Sequence, residues 1–205
     1  MFHVKQFQET TGVSNEVLKR LKTYADLLEK WQKKINLVGN STITDMWSRH
    51  IYDSAQLWPL LPRSDCSILD IGSGAGFPGL VLAILGGQNV TMVESDRRKC
   101  VFLAEVIRKT KVSLSVSLQN CRIEDAQSDR VDVVISRGLA SLEKLLVYSE
   151  PFLRDDTICL FPKGKKVDEE LTETLKKWTM KVTKVPSQSD SSGTILKLEN
   201  VKRRE

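Results

Sequence analysis

A glycine-rich turn between two apolar segments restricts the fold of this chain more than any other feature. Residues 66–71 predict a short buried strand, because they contain neither glycine nor proline. Gly72, Gly74 and Gly76 then end the strand, and glycine allows positive φ and a close approach of a ligand to the backbone. Residues 80–85 continue as an apolar helix. Strand, glycine turn and helix together predict the nucleotide-binding unit of a doubly wound α/β fold.

The glycine pattern alone leaves the nucleotide open. Residues 74–79 read Gly-Ala-Gly-Phe-Pro-Gly, which is a literal dinucleotide fingerprint. Asp70 favours a different ligand, since a carboxylate there would repel a pyrophosphate and suit an ammonium or sulfonium charge. Asp-x-Gly-x-Gly-x-Gly after an apolar strand resembles the S-adenosylmethionine (SAM) loop of class I methyltransferases. Glu94 ends the next predicted strand and could bind ribose hydroxyls in either class. We therefore expect SAM, with an NAD(P)-dependent oxidoreductase as the alternative.

Length and composition indicate one globular domain in a reducing compartment. The chain has 205 residues, 40% of them hydrophobic and 28% charged, and contains no apolar run long enough for a membrane span. The first nine residues are too polar for a secretory signal. The four cysteines form no C-x-x-C pair and predict small buried side chains instead of a zinc site or disulfides. We expect a cytoplasmic protein without a membrane or metal partner.

The net charge is mildly basic. It amounts to +5 at pH 7, with an isoelectric point near 9.0. Such a balance favours a phosphate-rich partner electrostatically, but many basic proteins bind no nucleic acid. The charge alone therefore does not decide whether RNA is the substrate.

Residues 1–62 predict a helical N-terminal cap on a core of residues 63–205. One apolar stripe runs along the first predicted helix, through Val17, Leu21, Tyr24, Leu28 and Trp31. A second helix is predicted from residue 41 to residue 58, before Pro59. Because no flexible glycine- or serine-rich linker follows, we expect the cap and the core to form a single domain.

After the glycine turn, predicted strands and helices alternate until the end of the chain. The predicted strands cover residues 90–94, 111–118, 131–135, 157–161, 181–185 and 194–201. Helices are expected from a cap at Ser95 or Asp96, from 139 to 152 and from 167 to 178. The last two strands should pair as an antiparallel hairpin. A mainly parallel sheet with such a hairpin is the class I methyltransferase (Rossmann-like) layout, whereas a dinucleotide-binding fold would more often stay parallel.

If SAM is the cofactor, the residues that follow the predicted strand 131–135 restrict which class of group can accept the methyl. Ser136-Arg137-Gly138-Leu139 lacks the Pro-Pro-aromatic turn that is usual for methylation of exocyclic amines, and no cysteine nucleophile lies there. No spacing of histidines and carboxylates suggests a metal. An acceptor that is already nucleophilic remains, and guanine N7 is one. Catalysis would then be mainly positioning, without a general base.

Several motifs together resemble one family, the small-subunit ribosomal RNA guanine-N7 methyltransferases, also called glucose-inhibited division protein B. They lie at residues 31–37, 49–54, 69–79, 122–124, 135–142 and 163–164. Phe-Pro-Gly after the glycine turn is more diagnostic than the glycines themselves. One departure is Gly138, where the family more often has alanine. The resemblance implies SAM-dependent methylation of guanine N7 in 16S ribosomal RNA, free or in the small subunit. A non-catalytic SAM-binding module is a further alternative.

The resemblance also implies roles for individual residues. Arg137 is expected to position substrate and cofactor, and is the one catalytic residue predicted. Ile123 and Glu124 should meet the adenine. The full set of predicted cofactor-binding residues is Asp70, Gly72, Gly74, Gly76, Phe77, Glu94, Ile123, Glu124 and Arg137. Lys163 matches a position thought to face RNA, and the basic clusters around it and around residue 97 add Lys165 and Arg97 as expected RNA contacts.

Overall fold

In the computed structural model, which describes residues 4–204, seven strands form one sheet with helices on both faces. The strands are β1 Ser67–Ile71, β2 Asn89–Val93, β3 Val116–Gln119, β4 Val133–Ile135, β5 Ile158–Lys163, β6 Trp178–Pro186 and β7 Thr194–Arg203. The α-helices are α1 Val4–Thr11, α2 Asn15–Gln32, α3 Asp53–Ala55, α4 Gly79–Leu85, α5 Arg97–Thr110, α6 Leu142–Ser149 and α7 Val167–Thr174. None of these helices is long and apolar enough to cross a membrane.

The sheet has the strand order β3-β2-β1-β4-β5-β7-β6, which confirms the predicted fold class. The first five strands in this order are parallel, and β7 runs antiparallel to both β5 and β6. The order reverses between β1 and β4, so the carboxyl ends of these two strands open a crevice at the switch point. The glycine turn follows β1, and Arg137 follows β4, at the edge of this crevice.

Side chains of the central strands alternate between two cores, as a pleated sheet requires. Ile68 and Val133 pack toward α2, α4 and α5, whereas Leu69 and Val134 pack toward α6 and α7. Asp70 points toward the first of these faces, where its carboxylate meets the start of α4. The central strands are thus covered on both sides, and the ligand crevice is left at their carboxyl ends.

The N-terminal cap is helical, but it differs from the prediction in two places. Helix α1 was not anticipated; residues 1–3, ahead of it, lie outside the described part of the chain. The helix expected from 41 to 58 is instead a series of short segments: 3₁₀ turns at Asn40–Asp45 and Trp58–Leu60, a π-helical turn at Trp47–Tyr52, and α3. A π turn widens the helix locally, and such turns are frequent at functional sites.

Three other predicted boundaries were wrong. Trp178 begins β6 and is buried in the α6–α7 core, although its spacing from Leu171 also fits a helix. Leu139 lies in a loop before α6, because that helix begins only at Leu142. The strand expected from residue 111 begins at Val116, since Lys111 takes a left-handed conformation that ends α5. In all three, local periodicity was compatible with more than one element.

Candidate active site

The turn after β1 is a tight backbone loop in which glycine is required by conformation. Gly72, Gly74 and Gly76 have φ values of 69°, 57° and 95°. The backbone N–H groups of Gly72 and Ser73 both donate to the carbonyl oxygen of Val93, at 3.0 Å. The loop is therefore tied to the end of β2, and its backbone is presented to the crevice.

Gly76 has a packing role that its motif did not reveal. A β-carbon at this residue would lie 2.6 Å from Leu80 Cδ1 and 2.8 Å from the Tyr24 hydroxyl. That hydroxyl, from helix α2, donates to the carbonyl oxygen of Ala75 at 2.5 Å. Burial raises the pKa of Tyr24 well above its usual value, so the phenol stays protonated as a donor. Gly76 thus lets the cap hold the loop and does not line the main cavity.

Glu94 fixes the loop from the second strand. Its carboxylate accepts hydrogen bonds from the Gly74 N–H at 2.8 Å and from the Asp96 N–H at 2.7 Å. Only 7% of the residue is exposed, yet Glu94 borders the cavity. Glu94 therefore connects the glycine loop to the start of α5, and each carboxylate oxygen has further lone pairs for a ligand hydroxyl.

Asp70 lies behind the loop and lines no part of the cavity. One carboxylate oxygen accepts from the Gly79 N–H at 3.1 Å, and the other has no hydrogen-bond partner among the described residues. Burial is the main reason that the pKa of Asp70 is raised, to about 7. The sequence predicted that Asp70 faces a ligand's positive charge, whereas in this structure its carboxylate faces the start of α4 and not the cavity.

An aromatic column stands beside the glycine loop. The Phe77 ring stacks between Tyr24 and His50, with ring centroids 5.1 Å from each and interplanar angles of 22° and 24°. The guanidinium carbon of Arg137 lies 5.0 Å from the Phe77 centroid, within cation–π range. Phe77 therefore joins the cap, the loop and the end of β4 at one point on the cavity wall.

Arg137 is held by the cap through its guanidinium group. Nη1 donates to the carbonyl oxygen of Arg49 at 2.9 Å and to Asp53 Oδ2 at 3.2 Å. Nη2 lies 2.8 Å from His50 Nδ1. The side chain is mostly buried, and it borders the same cavity as the glycine loop. A cation at the carboxyl end of a central strand is thereby fixed in one orientation.

The connection between β6 and β7 closes the cavity from the other side. Ser189 Oγ donates to Asp53 Oδ1 at 2.7 Å, and the Gln188 N–H donates to Gln56 Oε1 at 2.7 Å. Asp190 forms an ion pair with Arg49 at 2.9 Å. Asp53 thus contacts both this connection, which we name the tail loop (residues 187–193), and Arg137. Sequence reasoning missed the tail loop, because its residues form no motif.

The crevice contains two neighbouring cavities. The larger, of about 700 Å³, is bordered by the glycine loop, Phe77, Glu94, Arg137, the cap and the tail loop. The smaller, of about 110 Å³, is bordered by Ile123 and Glu124, as expected for residues that meet one end of an extended ligand. Gly72 and Leu139 border both. Gly138, the departure from the family pattern, has a φ of 69°, a value at which alanine would be strained.

The three expected RNA contacts lie in different environments. The Lys163 ammonium points inward, 3.0 Å from the carbonyl oxygen of Ala140 and 2.7 Å from Glu170, and its side chain is only 9% exposed. Lys165 and Arg97 are exposed, and neither borders the cavity. Lys99, from the same basic cluster as Arg97, does border the cavity. The structure therefore brings Lys163 to the site as an internal support of the loop before α6.

The sequence is similar to that of one family of known proteins over most of its length. A family model described as rRNA small subunit methyltransferase G (GidB) matches residues 17–196. A Ribosomal RNA small subunit methyltransferase G of Paramagnetospirillum magneticum is 49% identical over 193 residues, which cover 94% of this chain and 93% of that protein. One of the same name from Rhodospirillum centenum is 49% identical over 200 residues, covering 98% and 92%.

Solved structures resemble the fold at low sequence identity. A ribosomal protein L11 methylase of Lactobacillus delbrueckii subsp. bulgaricus has a TM-score of 0.58 and 16% identity, covering 82% of this chain and 81% of its own. TYW2 of M. jannaschii, in complex with AdoMet, has a TM-score of 0.57 and 16% identity, covering 84% and 80%. These likenesses concern the arrangement of the sheet and helices.

Proposed function

The chain belongs to the rRNA small subunit methyltransferase G family, and from this membership we propose that it methylates N7 of a guanine in 16S ribosomal RNA, with SAM as the methyl donor. The observation that carries the proposal is the convergence of Arg137, Phe77 and the glycine loop on one cavity at the strand switch point. The NAD(P) alternative is not favoured, because the relatives are methyltransferases and the sheet ends in an antiparallel hairpin.

The residues around the crevice fit SAM. Gly72 and Gly74 present backbone without a side chain to the cavity, and Glu94 offers carboxylate lone pairs for the ribose hydroxyls. Ile123 and Glu124 would hold the adenine in the smaller cavity, with Phe77 and Arg137 beside the larger one. When bound, SAM supplies a methyl group that its sulfonium charge makes electrophilic.

The acceptor chemistry asks little of the protein beyond placement. Guanine N7 attacks with its own lone pair, so no proton has to be removed first. The candidate base nearest to Arg137 is His50, but burial lowers its pKa to about 3 and its Nδ1 already faces the Arg137 guanidinium. The work that remains for the chain is orientation and exclusion of water, which can supply a large part of a rate enhancement.

The partner would be 16S ribosomal RNA, either free or within the small subunit or its precursor. Exposed Arg97 and Lys165, together with Lys99 at the cavity border, provide cations for the phosphates around the target base. We place the reaction in the cytoplasm, where ribosomal RNA is found and where free cysteines such as the buried Cys66 and Cys159 stay reduced.

A methyl-transfer assay on two substrates tests the proposal. Purified protein, radiolabelled SAM and either free 16S RNA or small subunits that lack the modification should yield 7-methylguanosine in digested RNA, identified by mass spectrometry. Arg137→Ala should lose most of the activity and keep its folding transition. Lys202→Ala should behave as wild type, because it lies near the carboxyl end of β7, and that antiparallel strand ends on the side of the sheet away from the crevice.

Two results would contradict the proposal. Methylation of another base, or at another guanine atom, would show that the acceptor was assigned wrongly. SAM binding by calorimetry without transfer to either substrate would favour the non-catalytic SAM-binding module.

A further inference from the structure

The hydrogen bond between Arg137 and His50 determines the state of the imidazole. A guanidinium group only donates, so the Nδ1 atom 2.8 Å from Arg137 Nη2 must accept. The ring is then neutral and carries its proton on Nε2, which lies 2.8 Å from Thr42 Oγ1. The Thr42 hydroxyl in turn lies 2.8 Å from the carbonyl oxygen of Gly39, to which it donates. Every donor in this chain of three bonds has an acceptor.

We infer that His50 is a positioning residue for methyl transfer: its Nδ1 atom holds the Arg137 guanidinium at the acceptor side of the cavity, and Thr42 holds the ring. This inference rests on the proposed function. It assigns His50 no proton transfer and no contact with substrate. Its effect on the reaction is exerted through Arg137.

The surroundings of the ring separate this role from simple packing. His50 is buried and stacks on Phe77, a contact that any aromatic ring could make. Its two nitrogens are used only for Arg137 and Thr42 among the described residues. Burial, with the neighbouring charges of Arg137 and Arg49, lowers the pKa of His50 to about 3, so the acceptor is retained at neutral pH.

Two substitutions of His50 separate the stacking of its ring from the hydrogen bonds of its nitrogens. His50→Phe keeps an aromatic ring against Phe77 and removes both nitrogens, whereas His50→Asn keeps a short acceptor near the Nδ1 position and removes the ring. In single-turnover assays at saturating RNA and SAM, His50→Phe should transfer the methyl group about 10- to 100-fold more slowly, as expected for a misplaced catalytic group. His50→Asn should recover to within about fivefold of wild type, and the affinity for SAM should change by less than about threefold in either variant.

A double-mutant cycle tests whether the effect passes through Arg137. In an Arg137→Ala background, His50→Phe should change the remaining rate by less than about twofold, because the group that it positions is gone. Equal losses in the two backgrounds, or full activity of His50→Phe alone, would overturn the inference. Absence of 7-methylguanosine with wild-type protein would instead refute the proposed function.

A third variant covers the case in which His50→Phe does not fold. Thr42→Val leaves the imidazole in place and removes the hydroxyl that fixes it. It should slow transfer by about threefold or more in the wild-type background and have no effect in the Arg137→Ala background. A wild-type rate for Thr42→Val, together with a loss in His50→Asn that is equal in the wild-type and Arg137→Ala backgrounds, would also overturn the inference, since the ring would then act neither through Thr42 nor through Arg137.

Discussion

The Leu139 side chain lies directly against Gly72: a β-carbon on residue 72 would come within 2.7 Å of both Leu139 δ-carbons. The two residues belong to different loops, one after β1 and the other after β4, and both border the larger and the smaller cavity. The contact therefore lies where the predicted adenine end of the site adjoins the cavity that Arg137 borders.

Gly72→Ala should weaken SAM binding by at least about tenfold, because the new methyl group strains a φ of 69° and displaces Leu139. Calorimetric titration with SAM measures this. Gly12→Ala is the matched control, since Gly12 has a φ of 66° but no atom within 4 Å of the added carbon. It should lose about 1 kcal/mol of stability and no affinity for SAM. Equal SAM affinities in the two variants would contradict the role of this contact.

Glu94→Gln should weaken SAM binding as well, for a different reason. The carboxylate accepts from two backbone N–H groups, and an amide can accept from only one while its NH₂ faces the other. We expect a loss of about tenfold or more in affinity, measured by calorimetry. Glu169→Gln, an exposed change on α7, should leave the affinity unchanged. An unaltered Glu94→Gln affinity would show that neither the loop geometry nor the ribose depends on the charge.

Asp70 should make stability depend on pH near neutrality. Since burial raises the pKa of Asp70 to about 7, the folded protein holds this proton more tightly than the unfolded chain does. The resulting stabilisation is complete at low pH and is lost as the pH rises through about 7, by at most about 1.4 kcal/mol per pH unit.

Urea unfolding at several pH values measures this loss. Between about pH 5 and 8 the free energy of unfolding of wild type should fall relative to that of Asp70→Asn. Asp26→Asn, on the exposed face of α2, should give a profile parallel to wild type. A wild-type profile parallel to that of Asp70→Asn would mean that the carboxyl group titrates normally.

Substitutions of Lys163 and Lys165 should have different effects, because we expect Lys163 to support the site and Lys165 to contact RNA. Lys163→Met removes the bonds to Ala140 and Glu170, and Glu170 in turn accepts from the Leu142 N–H at the start of α6. We expect methyl transfer at saturating RNA to fall by about tenfold with little change in RNA affinity. Lys165→Met should lower the affinity for RNA and leave methyl transfer at saturating RNA nearly unchanged. Loss of RNA affinity alone in Lys163→Met would restore its expected role as a direct contact.

Arg97 and Lys165 should contribute to the salt dependence of RNA binding. Each phosphate contact removed lowers the slope of log affinity against log salt concentration by about 1. Filter binding at several salt concentrations should therefore give Arg97→Ala and Lys165→Ala slopes about one unit shallower than wild type, and the double variant about two. Lys202→Ala serves as the distant control. An unchanged slope would exclude these side chains from the RNA surface.

Much of the site could be predicted because each of its main residues ends or directly follows a predicted strand. The glycine loop, Glu94 and Arg137 each lie at the carboxyl end of a predicted parallel strand, and the topology of such sheets brings these ends together. Gly72, Phe77 and Ile123 border the cavities, and their contacts with the cofactor stay predictions. The mainly parallel sheet with its antiparallel hairpin could be predicted because hydrophobic runs alternate with helical patterns until the last two strands.

Other features depend on contacts that local patterns do not encode. Asp70 faces away from the cavity because the pleat of β1 turns it toward α4, and the motif does not specify that direction. The inward ammonium of Lys163 depends on Glu170, on a separate helix. The hydrogen bond of His50 Nδ1 is made with Arg137, which lies 87 positions later in the chain. Long-range partners of this kind could not be identified from spacing alone.

The tail loop lies against residues of the cap, which are synthesised more than 100 positions earlier in the chain. Asp53 reaches Arg137 from the cap and meets Ser189 from the tail loop, and β7 inserts between β5 and β6. A growing chain that stops at residue 186 would contain the glycine loop, the cap and Arg137, but one wall of the cavity would still be missing. We therefore expect the ability to transfer a methyl group to arise only after β7 has left the ribosome that is making the protein.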